Sequence, residues 1–141
     1  MCELNPSMRG GMLAEPRTPT QTLIIAALLR RAADAADADA DADADAAAGG
    51  ASHKAKLEER RRREQTGVWV ALADEQKKTE WAWRGSGDAL APREARWAAG
   101  EPDFDWPAEG WCLELLADGT WNDLDCAQER RYACEVPVAR V

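Results

Sequence analysis

Residues Glu101 to Cys126 read EPDFDWPAEGWCLELLADGTWNDLDC, and this stretch determines how the rest of the chain is interpreted. It contains many carboxylate and amide oxygens, but no Lys, Arg or His. Ca²⁺ binds six to eight such oxygens and leaves room for ligand hydroxyls when the protein does not fill its coordination shell. The composition therefore predicts a calcium site between Glu101 and Asp123, with a merely solvated acidic loop as the alternative.

The cysteines indicate disulfide bonding. The chain has four, an even number, and contains no CxxC pair. This favours two disulfides over a zinc cluster or a thioredoxin-type redox site. A bond between Cys112 and Cys126 would bring Asn122 and Asp123 back towards the Glu101 segment. Disulfides indicate an extracellular or secretory compartment.

The N-terminal region does not carry the expected targeting signal. Residues 1–17 lack the apolar stretch of a signal peptide, and no segment is long enough to span a membrane. We therefore expect that the chain is a fragment or that its true start lies upstream.

The folded part of the chain is marked by tryptophan. All seven tryptophans fall between Trp69 and Trp121. Apolar and β-branched runs predict strands at Val68–Leu72, Glu80–Trp83 and Tyr132–Val136. Glycine and proline interrupt the stretch from Arg84 to Thr120, and a loop of that length is normally functional or disordered. We expect this one to be ordered and to carry the chemistry. The tryptophans assigned to the core are Trp69, Trp81, Trp83, Trp97 and Trp121.

A helix and a low-complexity segment precede the tryptophan-rich part. Thr18-Pro19-Thr20-Gln21 is typical of a capping box with proline at the first helical position. Alternating Ala and Asp follow, from Asp37 to Asp45, and bury almost nothing. We divide the chain into residues 1–33, the N-terminal part of the domain; 34–66, an insertion that is disordered or partly helical; 67–138, the C-terminal part; and 139–141, a tail.

Charge and catalytic motifs narrow the function classes. The net charge of −8 argues against a nucleic-acid partner or an anionic membrane surface. His53 is the sole histidine and lies within the insertion, so no Ser-His or Cys-His arrangement is available. Glycoside hydrolysis needs one carboxyl with a raised pKa, and nothing in the sequence supplies the apolar pocket that would raise it. We therefore expect a binding module, not an enzyme. The carboxylates weighed for hydrolysis are Asp103, Asp105, Glu109 and Asp123.

The order of motifs resembles that of a C-type lectin-like domain over most of the chain. The motifs are Cys2, Gly10-Gly11-Met12-Leu13-Ala14, Trp69-Val70-Ala71-Leu72, Trp81-Ala82-Trp83, Trp97, Glu101-Pro102-Asp103, Cys112, Trp121-Asn122-Asp123, Cys126 and Cys134. The resemblance implies an α+β fold, with a helix, small antiparallel sheets, a long structured loop and two disulfides. The implied pairs are Cys2–Cys134 and Cys112–Cys126.

The resemblance also implies a ligand set. Glu101, Asp103, Asn122 and Asp123 would hold one Ca²⁺ and hydrogen-bond the sugar hydroxyls that complete its coordination. Glu109 stands one position from the family's usual further glutamate and is a fifth candidate. The partners would be glycans or glycoproteins. A lectin-like domain that binds protein without calcium is the alternative function.

Two features leave the sugar open. This chain has Glu-Pro-Asp, a hybrid of the family's mannose-type Glu-Pro-Asn and galactose-type Gln-Pro-Asp motifs. Trp106, and after it Phe104, could stack on a sugar ring, although either could simply pack the loop.

The resemblance places the start of the chain inside the family's first helix, so that the domain would be N-terminally truncated. The strand Tyr132–Val136 would then lose its partner and become an unpaired edge, which is a liability for aggregation.

Overall fold

The computed structural model describes residues 12–44, 53–55, 58, 67–76, 79–104 and 110–136 of the chain. A short 3-10 helix, Pro92–Glu94, lies between the third and fourth strands. The other elements in chain order are β1 Met12–Leu13, α1 Pro19–Ala44, β2 Val68–Asp74, β3 Ala82–Trp83, β4 Trp111–Leu115, β5 Trp121–Asp125, β6 Arg131–Tyr132 and β7 Cys134–Glu135.

Helix α1 begins as the sequence predicts. The Gln21 backbone N–H donates to Thr18 Oγ1 at 3.2 Å, and the Thr18 N–H donates to Gln21 Oε1 at 3.1 Å. These two bonds are the reciprocal pair of a capping box. Ala26, Leu29 and Ala33 turn one face of the helix into the core.

The helix ends later than the division of the chain at residue 33 suggests. It continues to Ala44, inside the segment 34–66 where we expected disorder or partial helix. Alanine has the highest helix propensity of any residue, and it occupies every second position from Ala36 to Ala44.

Five strands form the main sheet around β2. The order is β3-β2-β4-β5, and β6 pairs in parallel with the start of β2. Strands β4 and β5 form an antiparallel pair in which Glu114 lies opposite Asn122 and Leu113 lies opposite Asp123. Asn122 and Asp123 therefore lie on β5, and the partner strand β4 contributes residues to the core.

The tryptophans are mostly placed as expected. Trp81, Trp83 and Trp121 are buried, and Trp97 packs on them with its ring centroid 4.9 Å from that of Trp81. The assignment of Trp69 to the core is wrong, since its side chain is half-buried. Its neighbours Val68 and Val70 take the core face of β2, and successive side chains of a strand point to opposite faces. Trp111, which was not assigned, is buried.

The C-terminal segment is not an unpaired edge, so that expectation is wrong. It divides into two short strands, β6 and β7. Strand β7 pairs antiparallel with β1, with Met12 opposite Glu135 and Leu13 opposite Cys134. Ala133, between β6 and β7, donates its N–H to Trp69 O at 3.0 Å. The residues around Met12 therefore supply the pairing that we expected to be missing.

One predicted disulfide is present. Cys112 and Cys126 are joined, with a Cα–Cα distance of 5.0 Å, and the bond links β4 to the residue after β5. Cys134 is also disulfide-bonded. Its expected partner, Cys2, lies outside the described residues, so the Cys2–Cys134 pairing stays a prediction.

Candidate functional site

Three carboxylates predicted as calcium ligands lie together. One oxygen each of Glu101, Asp103 and Asp123 lies within 4.8 Å of the others. Asn122 lines the same open pocket, which has a volume of about 400 Å³. The structure therefore brings together four of the five predicted ligands; Glu109 and the candidate sugar platform Trp106 lie outside the described residues.

Hydrogen bonds hold the loop carrying Glu101 and Asp103 against β5. Asp123 Oδ1 accepts the Asp103 backbone N–H at 3.1 Å, and its Oδ2 accepts the Phe104 N–H at 2.9 Å. Glu101 Oε2 also accepts the Asp103 N–H at 3.1 Å. The Glu101–Pro102 peptide bond is cis, and Glu101 and Asp103, which flank Pro102, both belong to the carboxylate cluster.

Phe104 anchors this loop to the core. Its ring lies 6.3 Å from that of Trp81 and 5.7 Å from that of Trp111, measured between centroids. Its backbone has a φ of +52°, in a region that non-glycine residues seldom occupy. Of its two proposed roles, sugar stacking and packing, the contacts support packing.

The electrostatics of the cluster raise the pKa of Glu101 to about 7, from an ordinary value of 4.5. Burial contributes most, followed by the hydrogen bond with Asp123 and the negative charge of Asp103. Burial and nearby like charge both disfavour an ionised carboxylate. A cation bound among these oxygens would reverse the effect of the like charges.

Asn122 is held by a residue that the sequence did not single out. Its Nδ2 donates to Glu114 Oε2 at 3.3 Å, and Glu114 is only 3% exposed. In the sequence Glu114 stands between Leu113 and Leu115, where strand alternation favours a solvent-facing side chain. The contact between Glu114 and Asn122 follows from the pairing register of β4 and β5, and the sequence does not show that register.

The family model for the lectin C-type domain matches residues 47–136, which is more than half of the chain.

The chain belongs to the C-type lectin domain family.

Similar proteins agree with this assignment. Asialoglycoprotein receptor 2 of the rat is 38% identical over 73 residues, covering 48% of this chain and 23% of the receptor. Collectin-43 of cattle is 46% identical over 43 residues, covering 29% of this chain and 13% of the collectin. This C-type lectin domain therefore matches well under half the length of either relative.

Solved structures confirm the fold. Human lithostathine superimposes with a TM-score of 0.57 at 19% identity, covering 94% of this chain and 76% of that protein. The predicted α+β fold, with its helix, small antiparallel sheets and Cys112–Cys126 disulfide, is that of a C-type lectin domain. Within the described parts of this C-type lectin domain, no helix is both long and apolar enough to cross a membrane.

Proposed function

We propose that this C-type lectin domain binds carbohydrate through one Ca²⁺ held by Glu101, Asp103, Asn122 and Asp123. The observation that carries the proposal is the gathering of three carboxylates within 4.8 Å of one another, in a pocket that Asn122 also lines. The name of one relative, asialoglycoprotein receptor 2, agrees with a glycoprotein ligand.

The donor set fits calcium. All four side chains offer oxygen, which is the ligand atom that this hard cation takes. The raised pKa of Glu101 reflects burial and crowded negative charge, and a divalent cation would offset the charge. When bound, the ion would coordinate two neighbouring hydroxyls of a sugar.

The side chains themselves would orient the sugar. Ionised carboxylates only accept hydrogen bonds, so Glu101 and Asp103 would each accept a hydrogen bond from a sugar hydroxyl. Asn122 is the one amide among the four, and its Nδ2 is engaged by Glu114. The pair Glu101 and Asp103 therefore lacks the donor–acceptor asymmetry that would select one hydroxyl arrangement, and mannose-type and galactose-type sugars both remain candidates.

Further parts of the proposal extend to residues beyond the described site. Glu109 would add a fifth ligand, and Trp106 would stack on the sugar ring. The module would act by binding, not by catalysis, on glycans or glycoproteins met outside the cell or in the secretory pathway. The Cys112–Cys126 disulfide supports that location, because such bonds persist in oxidising compartments.

Calorimetry with CaCl₂ followed by a glycan array, with and without chelator, tests the proposal. We expect calcium binding at one site and glycan binding that disappears in chelator. Glycan binding that persists unchanged in chelator would disprove the calcium-dependent mechanism. A protein that takes up no calcium and binds protein surfaces would support the alternative function instead, and turnover of a glycoside would identify an enzyme.

A further inference from the structure

Asn122 differs from the other three proposed ligands in having two unlike ends. A carboxylate presents oxygen whichever way it turns, whereas an amide presents either oxygen or NH₂. Only the oxygen can bind Ca²⁺, since the NH₂ group is a hydrogen-bond donor. The site therefore needs a device that fixes the rotation of the Asn122 amide.

Glu114 supplies such a device from the neighbouring strand. It lies directly opposite Asn122 in the β4–β5 register, and its Oε2 accepts a hydrogen bond from Asn122 Nδ2 at 3.3 Å. An ionised carboxylate has no proton to donate, so it can engage only the NH₂ end of the amide. The Asn122 oxygen is then directed away from Glu114.

Glu114 is itself fixed in position. Its Oε1 accepts the Gly67 backbone N–H at 2.6 Å and Arg130 Nε at 3.1 Å. Gly67 leaves room for this approach, because a Cβ there would lie 2.5 Å from Glu114 Cγ. With two donors holding Oε1, the carboxylate cannot rotate freely, and Oε2 stays aimed at Asn122.

We propose that Glu114 is a positioning residue, which turns the oxygen of the Asn122 amide into the calcium pocket. The inference rests on the proposed function, because it assigns a partner to one of the proposed ligands. A competing role for Glu114 is purely structural, as the buried partner of Arg130. Outer-shell partners of metal ligands affect metal affinity about 10- to 100-fold, and this effect separates the two roles.

A swap of donor and acceptor tests the contact. In Glu114→Gln the new NH₂ group faces Asn122 and turns its amide the wrong way, so we expect calcium affinity to fall about 10- to 100-fold. In Asn122→Asp two carboxylates face each other across the strands, and affinity should again fall. The double variant restores the hydrogen bond with its polarity reversed, and should recover affinity above either single variant.

Three measurements are made on each variant: calcium affinity by calorimetry, melting temperature in chelator, and the side-chain amide signals of the calcium-free protein by NMR. Arg130→Gln is the matched comparison, because it breaks the ion pair but leaves the Gly67 N–H bonded to Oε1 and leaves Glu114 a carboxylate, which can engage only the NH₂ end of Asn122. We expect it to lower the melting temperature, and to lower calcium affinity less than Glu114→Gln does. In the calcium-free wild type, the Asn122 NH₂ protons should exchange slowly with solvent.

The outcomes separate the two proposals. If the wild type binds calcium but the two substitutions have additive effects, the positioning role is overturned and the proposed function stands. Equal losses of affinity in Glu114→Gln and Arg130→Gln have the same consequence. Absence of calcium binding by the wild type overturns both. If Glu114→Gln does not fold, rapid exchange of the Asn122 NH₂ protons in the wild type still overturns the positioning role.

Discussion

Two glutamates seven positions apart show how differently one protein can treat the same side chain. Glu94 has its pKa lowered to about 2, first by the hydrogen bond from the Ala91 N–H and then by the Arg17 guanidinium. Glu101 has its pKa raised to about 7, first by burial and then by Asp123 and Asp103. The protein thus stabilises one carboxylate and destabilises the other.

The difference distinguishes a carboxylate whose charge is matched within the fold from one that is a candidate for a functional site. Glu94 receives hydrogen bonds from Arg17 Nε at 2.8 Å, the Ala91 N–H at 3.0 Å and Trp83 Nε1 at 3.2 Å, so its charge is matched within the fold. Glu101 is grouped with two other carboxylates in the described part of the chain, and a bound cation would supply a matching charge. Perturbed carboxylates of this second kind are candidates for functional sites.

The largest expected effect concerns calcium binding. Asp123→Asn removes the carboxylate that touches both the Glu101 loop and the pocket, and its NH₂ group would face a backbone N–H. We expect calcium affinity to fall by more than about 100-fold, since loss of an outer-shell partner alone costs about 10- to 100-fold. Calorimetry measures this, with Asp34→Asn, at an exposed position of α1, as the charge-matched control. Unchanged affinity would mean that Asp123 is not a ligand.

The next effect is on stability and should not depend on calcium. Glu94→Ala leaves Trp83 Nε1, the Ala91 N–H and Arg17 Nε without this partner, while Arg17 Nη1 keeps its ion pair with Asp88. The free energy of unfolding should fall by about 2 kcal/mol, at the lower side of values for buried pairs because the Arg17 side chain is 32% exposed.

Urea unfolding in calcium and in chelator measures this loss, with Arg93→Ala as the neighbouring exposed control. A loss seen only in calcium would contradict a purely structural role for Glu94.

The raised pKa of Glu101 also predicts how calcium affinity depends on pH. Under the proposed function Ca²⁺ would bind ionised Glu101, whose pKa is raised to about 7, so calcium affinity should weaken about tenfold between pH 8 and pH 6. Calorimetry across this range checks the slope, and Glu101→Gln should flatten it. An affinity that strengthens as pH falls would rule out proton competition at this carboxyl.

The free energy of unfolding, measured in chelator, tests the pKa shifts of both glutamates without calcium, and the two should act in opposite pH ranges. The raised pKa of Glu101 means that the folded state binds its proton more tightly than the unfolded state, so its contribution is present below pH 4.5 and is lost as pH rises through about 7. The lowered pKa of Glu94 gives a contribution that is present above pH 4.5 and lost as pH falls towards about 2. Urea unfolding at a series of pH values should show both slopes, and Glu101→Gln should remove only the upper one.

The sequence predicted those features of the fold and of the candidate site that follow from motifs along the chain. The capping box at Thr18 and Gln21, the Cys112–Cys126 bond and the fold were all predicted from motifs in order along the chain. The grouping of Glu101 with Asp103 and Asp123 matches the expected site, although its role as a metal site stays a prediction.

Features that depend on register could not be predicted in this way. Glu114 faces Asn122 only because β4 and β5 pair at that offset, and one residue of slip would turn Glu114 to the other face. The pairing of Met12 with Glu135 likewise joins the two ends of the described chain. Helix α1 passes residue 33 into the segment that we interpreted as disordered or partly helical, and its alanines favour the helix.

The smallest expected effect concerns the hybrid motif. Asp103→Asn removes the like charge that ranks behind burial and Asp123 in raising the pKa of Glu101, so that pKa should fall below about 7 while Glu101 stays bonded to the Asp103 backbone N–H. Calcium affinity should fall less than in Asp123→Asn, because an amide oxygen can take the place of the carboxylate oxygen while the site loses one negative charge. The new NH₂ group can donate to a sugar hydroxyl, which restores the asymmetry between positions 101 and 103. NMR titration of Glu101 and a glycan array measure the two effects. An unchanged array with a lowered pKa would show that charge at position 103 tunes the metal site without selecting the sugar.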